Sequence, residues 1–408
     1  MENKTKDKFL QTNGSQFKYL AIAIVVGLSV GAIDAIFGRV LIEITSFREQ
    51  NYLFLLPVLP LAGIFIIWFY NRVSPLSLKG MSLVFEVGQK EREDIPMALI
   101  PLVMVCTWIT HLFGGSAGRE GVAVQIGATL SHGIGRKLKI SDDNRILLVV
   151  GMAAGFGGLF QTPLAALFFA LEVIVVGKMA YEALLPAFVA SYIASFTSHF
   201  LGLEKFSVKI KETLDFSNPK ILAGLVVLGV VFGLVGRVFA FSLSKSKKII
   251  GQKIENPYKK IGICGIFLAI VLIILFSGRY SGLGTNLISN SFSDGKIYQW
   301  DWILKLILTI CTLAIGFQGG EVTPLFSIGA SLGIVIGNYL GISPIVAAAL
   351  GYAAVFGSAT NTIIAPIIIG LEVFGSNNIE AFFIVCIVAY IVNGNISIYG
   401  SQKILENR

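Results

Sequence analysis

Charge is what this sequence has least of. Only 14% of its 408 residues are Asp, Glu, Lys or Arg, against about 25% in an ordinary soluble domain. Hydrophobic residues make up 55%. A chain this poor in charge cannot clothe itself in polar groups, so much of its surface must face lipid. Histidine is nearly absent, and His111, His132 and His199 stand apart without ligand spacing. Cys106, Cys264, Cys311 and Cys386 all lie in apolar stretches. They read as small buried hydrophobes, which argues against a disulfide framework or zinc site. No metal and no cofactor is expected. No basic run is interleaved with aromatics, so nucleic acid is not an expected partner.

Long apolar runs are abundant. Tyr19 to Ile36 is interrupted only by Asp34, and Leu53 to Tyr70 carries no charge. A span needs about 20 mostly apolar residues, and both runs qualify. Further apolar segments follow to residue 397, several of them short and broken by Gly or Pro. No cleavable signal peptide is expected, nor a soluble domain after the last apolar segment. Residues 1–17 form a polar tail carrying Lys4, Lys6 and Lys8. The net charge of +8 is read as topology, because basic residues gather on the cytoplasmic face.

The chain repeats itself. Residues 151–174 and 351–374 are identical at ten of 24 positions, at a constant offset of 200. Chance would give roughly two or three in apolar sequence. Gly118–Gly135 likewise matches Gly320–Gly337 at an offset of 202, with IGATLSHGIG against IGASLGIVIG. The first of these copies is followed by the basic RKLKISDDNR, the second by the uncharged NYLGIS. The positive-inside rule puts those loops on opposite faces, which predicts an inverted repeat. The expected halves are 18–205 and 206–400, followed by a tail over 401–408. Lys245, Lys247, Lys248, Lys253, Lys259 and Lys260, early in the second half, are expected on the cytoplasmic side.

Two Gly-led helix starts carry the chemistry. The first is Gly118-Arg119-Glu120-Gly121. A helix beginning there aims free N–H groups at whatever lies in front, and its dipole favours an anion. Glu120 competes for that place when ionised and leaves it when protonated. Ionisable residues at membrane depth are functional by default. The second start is Gly320-Glu321-Val322-Thr323-Pro324. Glu321 aligns with Arg119 rather than with Glu120, so the two acids are offset, which suits a relay better than a symmetric pair. Gly80-Met81 and Tyr399 are weaker candidates for the anion path. Glu172 and Glu372, matched in the two copies, are assigned a helix-end structural role. Asp34 is given none.

At these residues the sequence resembles the CLC family of chloride channels and proton-coupled anion antiporters. GREG followed by VQ and IGA, FQTPLAALFFALEV and GGEVTP carry the likeness, which runs from about residue 19 to 400. It implies an all-α polytopic membrane protein, a CLC-like inverted repeat with broken and re-entrant helices. It also implies a homodimer in a bacterial inner membrane. Glu120 would be the gating glutamate and Tyr399 the central tyrosine. There are departures. Met81 stands where the family has a serine, Val322 replaces a phenylalanine, Thr323 replaces an alanine, and Glu321 is an added acid. The second acid of the usual E-E pair is Val173. Together these resemble the fluoride branch, CLC-F, in which fluoride leaves in exchange for an entering proton. On that reading Glu120 carries the proton and Glu321 takes the handoff. The anion site is formed by Gly80, Met81, Gly118, Arg119, Gly121, Gly320, Val322, Thr323 and Tyr399. A chloride channel or chloride/proton antiporter of the same fold is the alternative. An intramembrane enzyme using Glu120 and Glu321 as an acid pair lacks a metal or nucleophile constellation.

Overall fold

The computed structural model describes residues 2–140, 144–293 and 295–405, and for residues 2–16 and 144 only the course of the backbone. The side chains of Lys4, Lys6 and Lys8 therefore lie outside the described residues. The chain runs through helices α1 (Glu2–Leu55), α2 (Leu59–Val73), α3 (Met81–Gly88), α4 (Leu99–Leu112), α5 (Glu120–Lys137) and α6 (Asn144–Phe160). It continues with α7 (Pro163–Glu172), α8 (Leu184–Phe200), α9 (Pro219–Lys253), α10 (Pro257–Ile274) and α11 (Thr285–Ser291). The last are α12 (Asp301–Ile315), α13 (Val322–Leu340), α14 (Pro344–Thr360), α15 (Ile364–Phe374) and α16 (Ile379–Asn393). Val175–Val176 and Lys403–Ile404 form one short parallel strand pair.

The protein is an all-α, multi-pass membrane protein. Five of its helical stretches are long and apolar enough to cross a bilayer: 17–73, 181–200, 219–253, 257–274 and 322–340. The others are broken. Helices of 10 to 15 residues such as α7, α15 and α16 fall short of the roughly 20 a span needs. Such helices place backbone ends at membrane depth, where each end must find a partner. Two of the sequence-based boundaries change. The first two apolar runs are joined, since α1 continues to Leu55 with a kink at Asn51. The second change is in the lysine-rich stretch early in the second half, which is mostly helical. There α9 runs to Lys253, and Asn256 restarts the chain by accepting from Tyr258 N and Lys259 N ahead of Pro257.

The repeated glycines recur because they do the same packing job twice. α5 lies on α6 and α13 on α14. A Cβ on Gly127 would strike the Gly151 carbonyl, and one on Gly329 would strike the Gly351 carbonyl. Backbones approach this closely only over small residues, the usual device of helix pairs in membranes.

The repeated acids are reciprocal too. Glu172, ending α7, accepts from Ile363 N, Ile364 N and Ala365 N at 3.1, 3.2 and 2.8 Å, at the start of α15. Glu372, in α15, accepts from Leu164 N and Ala165 N at 3.2 and 2.8 Å, at the start of α7. Each carboxylate therefore caps the helix of the other copy. This is the helix-end role expected of them, exerted across the repeat rather than on their own helices.

Candidate anion site

The two Gly-led starts meet. Gly118 and Gly320 form an antiparallel bridge, Gly118 N donating to Gly320 O at 2.5 Å and Gly320 N to Gly118 O at 2.8 Å. Equivalent residues thus pair with each other, as at a two-fold contact. Glycine is required on both sides. A Cβ on Gly118 would lie 2.8 Å from Pro324 Cδ, and one on Gly320 would lie 3.0 Å from Gly121 N.

From this bridge the chains diverge into α5 and α13. Arg119 is the N-cap of α5, and Glu120 is the acid of its first turn. Its side chain is 1% exposed. It reaches across to the other copy while Oε2 also accepts, at 3.4 Å, from Arg119 N of its own N-cap. Glu120 Oε2 accepts from Thr323 N at 3.1 Å and from the Thr323 hydroxyl, in the first turn of α13. The carboxylate thus occupies the place that the free N–H groups and dipole of α13 offer to an anion. Arg119 Nε lies 3.6 Å from Glu120 Oε1, an ion-pair contact longer than a hydrogen bond.

Glu321 is the N-cap of α13 and points elsewhere. A Cβ on Gly121 would be 3.8 Å from Glu321 Oε2, an ordinary contact distance, so that carboxylate lies beside the start of α5. Glu321 lines a cavity of about 420 Å3 with Gly80, Met81, Gln125 and Tyr399, and Lys79, Lys247 and Lys260 also border it. Gly80 has φ +53 and leads α3, whose first residue is Met81. The Tyr399 ring lies 5.1 Å from that of Phe85, and its buried hydroxyl has no hydrogen-bond partner. Gln125 Oε1 is likewise buried and unpartnered. A separate cavity of about 60 Å3 is lined by Arg119, Glu120, Glu204, Thr285, Thr323 and Tyr352. The two cavities share no lining residue. Behind Thr323, the Phe326 and Tyr352 rings stack at 4.0 Å.

The residues singled out from the sequence fall into three groups. Glu120, Arg119, Gly118, Gly121, Gly320 and Thr323 come together at the bridge. Glu321, Gly80, Met81 and Tyr399 border the larger cavity. Val322 is fully buried and lines neither cavity. Sequence reasoning misses Gln125, although it lies five residues along the helix from Glu120. It also misses the convergence of Lys247 and Lys260 on the larger cavity, and Glu204 in the smaller one. A buried glutamine in an apolar helix is the one available signal, since an amide at membrane depth needs a partner.

The chain is similar to known proteins over most of its length. A family profile described as "Voltage gated chloride channel" matches residues 62–394. The "Chloride/fluoride channel protein" of Pseudomonas syringae pv. tomato is 34% identical over 95% of this chain and 86% of its own length. A solved "CLC-type fluoride/proton antiporter" is 50% identical with a TM-score of 0.94, covering 96% of this chain and 98% of the other. A slow cyanobacterial Cl−/H+ antiporter shares the fold at 20% identity and a TM-score of 0.80, covering 93% of this chain and 96% of its own.

Proposed function

Since the chain belongs to the CLC family of voltage-gated chloride channels and their antiporter relatives, we propose that it is a fluoride/proton antiporter. It exports fluoride and admits protons. The observation that carries this reading is the Glu120 carboxylate seated on the N–H and hydroxyl of Thr323 in the wall of the smaller cavity, while Glu321 lines the larger one. The larger cavity, bordered by Lys79, Lys247 and Lys260, opens to the cytoplasm, and its positive rim gathers anions. The smaller one leads outward.

Glu120 is the tethered anion. Ionised, it holds the donors of Thr323 and closes the path. A proton arriving from the outer cavity neutralises it, weakens its hold on those donors and frees their place for fluoride. Fluoride is small and strongly hydrated, so it enters only where good donors replace its water. The N–H and hydroxyl of Thr323 supply two, and the free hydroxyl of Tyr399 supplies another from the inner cavity. Glu321, across the bridge, receives the proton from Glu120 and releases it inward. A homodimer in the bacterial inner membrane belongs to this reading. The outward apolar residues Phe188, Tyr192, Phe196 and Phe200 of α8 are 39 to 78% exposed and give a second copy a surface to cover.

Proteoliposomes followed at once with fluoride, chloride and pH electrodes test the assignment. Fluoride efflux coupled to proton uptake is expected. Chloride efflux equal to fluoride efflux would overturn the substrate. Fluoride flux with no proton movement would leave a channel.

A further inference from the structure

A third cavity, of about 370 Å3, shares no lining residue with the two beside the Gly118–Gly320 bridge. The end of α1, the turn after α10 and the start of α11 enclose it, with Arg48, Phe276, Arg279, Ser281, Asn286 and Tyr298 in its wall. Its depth follows from α10. That helix is a candidate span of 18 residues, so it carries the chain about 27 Å from the Lys260 end to the Phe276 end. At the far end the Tyr298 and Trp300 rings stack at 5.4 Å, and Phe276 lies 5.4 and 6.3 Å from them. Phe276 and Trp300 are each 45% exposed. Tyrosine and tryptophan gather in this way at the level of lipid headgroups.

Arg48 is buried, and Gly282 makes space for it, since a Cβ there would strike the guanidinium. Nη1 donates to His111 O at 2.9 Å, at the end of α4. Nη2 lies 3.9 Å from the carboxylate of the exposed Glu49, beyond hydrogen-bond reach. A guanidinium has five N–H donors and keeps its charge, so most of its donors are left over in the cavity wall. Arg279 is better matched. Nε and Nη2 donate to Asp301 at 3.2 and 2.7 Å, Nη2 also to Lys296 O at 2.7 Å, and Nη1 is left. Asp301 is occupied in turn, accepting from the Tyr280 hydroxyl and Tyr298 N at 2.7 and 2.9 Å. Lys305, behind Gly282, gives its three donors to Ser116 Oγ, Tyr280 O and Gly282 O. The Ser281 hydroxyl is buried in the same wall without a partner.

We propose that this cavity binds a phosphate group, with Arg48 as its charged partner and the Ser281 hydroxyl as a neutral donor. The ligand class is a phosphate, carried on an anionic lipid headgroup or free in solution. Guanidinium forks match phosphate oxygens, and Arg48 and Arg279 bring two of them to one space. The volume is far more than a halide fills and lies in the range of small-ligand sites. A bound phosphate gives Arg48 the counter-charge that Glu49, out in water, supplies poorly. An unmatched guanidinium buried in a membrane protein is costly. The site stands whichever anion Glu120 admits.

The test is calorimetry on the full chain in a maltoside detergent. It is titrated with short-chain phosphatidylglycerol, with inorganic phosphate, and with the matching diacylglycerol, which lacks the phosphate. Saturable binding of a phosphate-bearing ligand is expected, and none of diacylglycerol. R48Q is expected to weaken binding at least about tenfold, as the loss of hydrogen bonds between charged groups does. S281A removes a hydroxyl that no other group in the fold uses, so it is expected to fold as wild type and to bind severalfold more weakly. Phosphatidylglycerol binding more tightly than phosphate assigns the site to the lipid. Phosphate binding as tightly or more so assigns it to a soluble ligand, and either result supports the phosphate chemistry. No saturable binding of either overturns the proposal, as does diacylglycerol binding equal to that of phosphatidylglycerol. Wild-type affinity in R48Q or in S281A also overturns it. Should R48Q fail to yield monodisperse protein, S281A decides alone: weaker binding supports the site, and unchanged binding removes it.

Discussion

Glu120 and Thr323 are 203 positions apart, yet the carboxylate of the first rests on the backbone N–H of the second at 3.1 Å and on its hydroxyl. The two residues come from different copies of the repeat, so this contact ties one half to the other. Thr323 is where a wrong substitution should be felt most directly.

Thr323→Val keeps the shape and the backbone N–H and removes the hydroxyl. One hydrogen bond to a charged acceptor is worth about 1.5–3 kcal/mol, so fluoride affinity should fall roughly ten- to a hundredfold. Thr323→Ser should retain it. Fluoride titration of the purified protein by calorimetry checks this, and a wild-type affinity in Thr323→Val would remove the hydroxyl from the site.

Glu120→Gln cannot ionise, so it neither carries a proton nor holds the Thr323 donors as an anion. Proton uptake driven by a fluoride gradient should vanish in liposomes bearing this variant. Undiminished coupled proton flux would sink the proposed mechanism.

Glu172→Ala leaves three N–H groups at the start of α15 without their acceptor. Loss of a cap costs about 0.5–2 kcal/mol, and burial places this one at the upper end. A lower melting temperature in detergent is expected, with proton coupling per fluoride unchanged in the protein that remains folded. An altered coupling ratio would place Glu172 on the transport path instead.

Gly329→Ala and Gly251→Ala form a matched pair. The first drives a methyl into the Gly351 carbonyl, whereas the second meets nothing within 4 Å. Overpacking costs about 1–3 kcal/mol, while alanine in an open helical position gains up to about 1 kcal/mol over glycine. Thermal unfolding of both should therefore move in opposite directions.

Glu86, beside the larger cavity's rim, accepts from Lys79 Nζ at 2.8 Å and from Arg92 Nε at 3.1 Å. The Lys79 hydrogen bond first, with Arg92 adding to it, holds this carboxyl below the usual range against the opposing effect of burial. A depressed folded value means that the stabilisation is complete above the ordinary carboxylate range and fades as the pH falls through the folded value. The contribution is small for a pair so open to solvent. Glu86→Gln should lower the melting temperature slightly at neutral pH and leave it unchanged in strong acid. Equal losses at both pH values would show that the ion pairs are not its source.

Much of this molecule is legible in the sequence. The repeat offset, the Gly-led starts and the two offset acids are local patterns, and they mark the elements that carry the site. Contacts across the repeat are not local. No spacing rule says that Glu120 reaches across to Thr323, or that Glu172 and Glu372 reach the starts of α15 and α7. Those depend on how the halves face each other. Gln125 is part of the VQ that follows GREG, but nothing in that dipeptide says that its amide borders the cavity of Glu321. The lysines of α9 and α10 reveal only their sign. Only the packing brings Lys247 and Lys260 to the same opening as Glu321.

The reciprocal caps also bear on where such a chain comes from. Half of this molecule, taken alone, would hold a carboxylate with no helix to cap and a helix start with no carboxylate. What satisfies both is a second copy of the same half turned upside down. The ancestor of the duplication would therefore have been a polypeptide that inserted in both orientations and paired with its own inverse. Within one chain the two copies need not stay alike, and Arg119 and Glu321, at matching positions of the repeat, are now a cation and an acid.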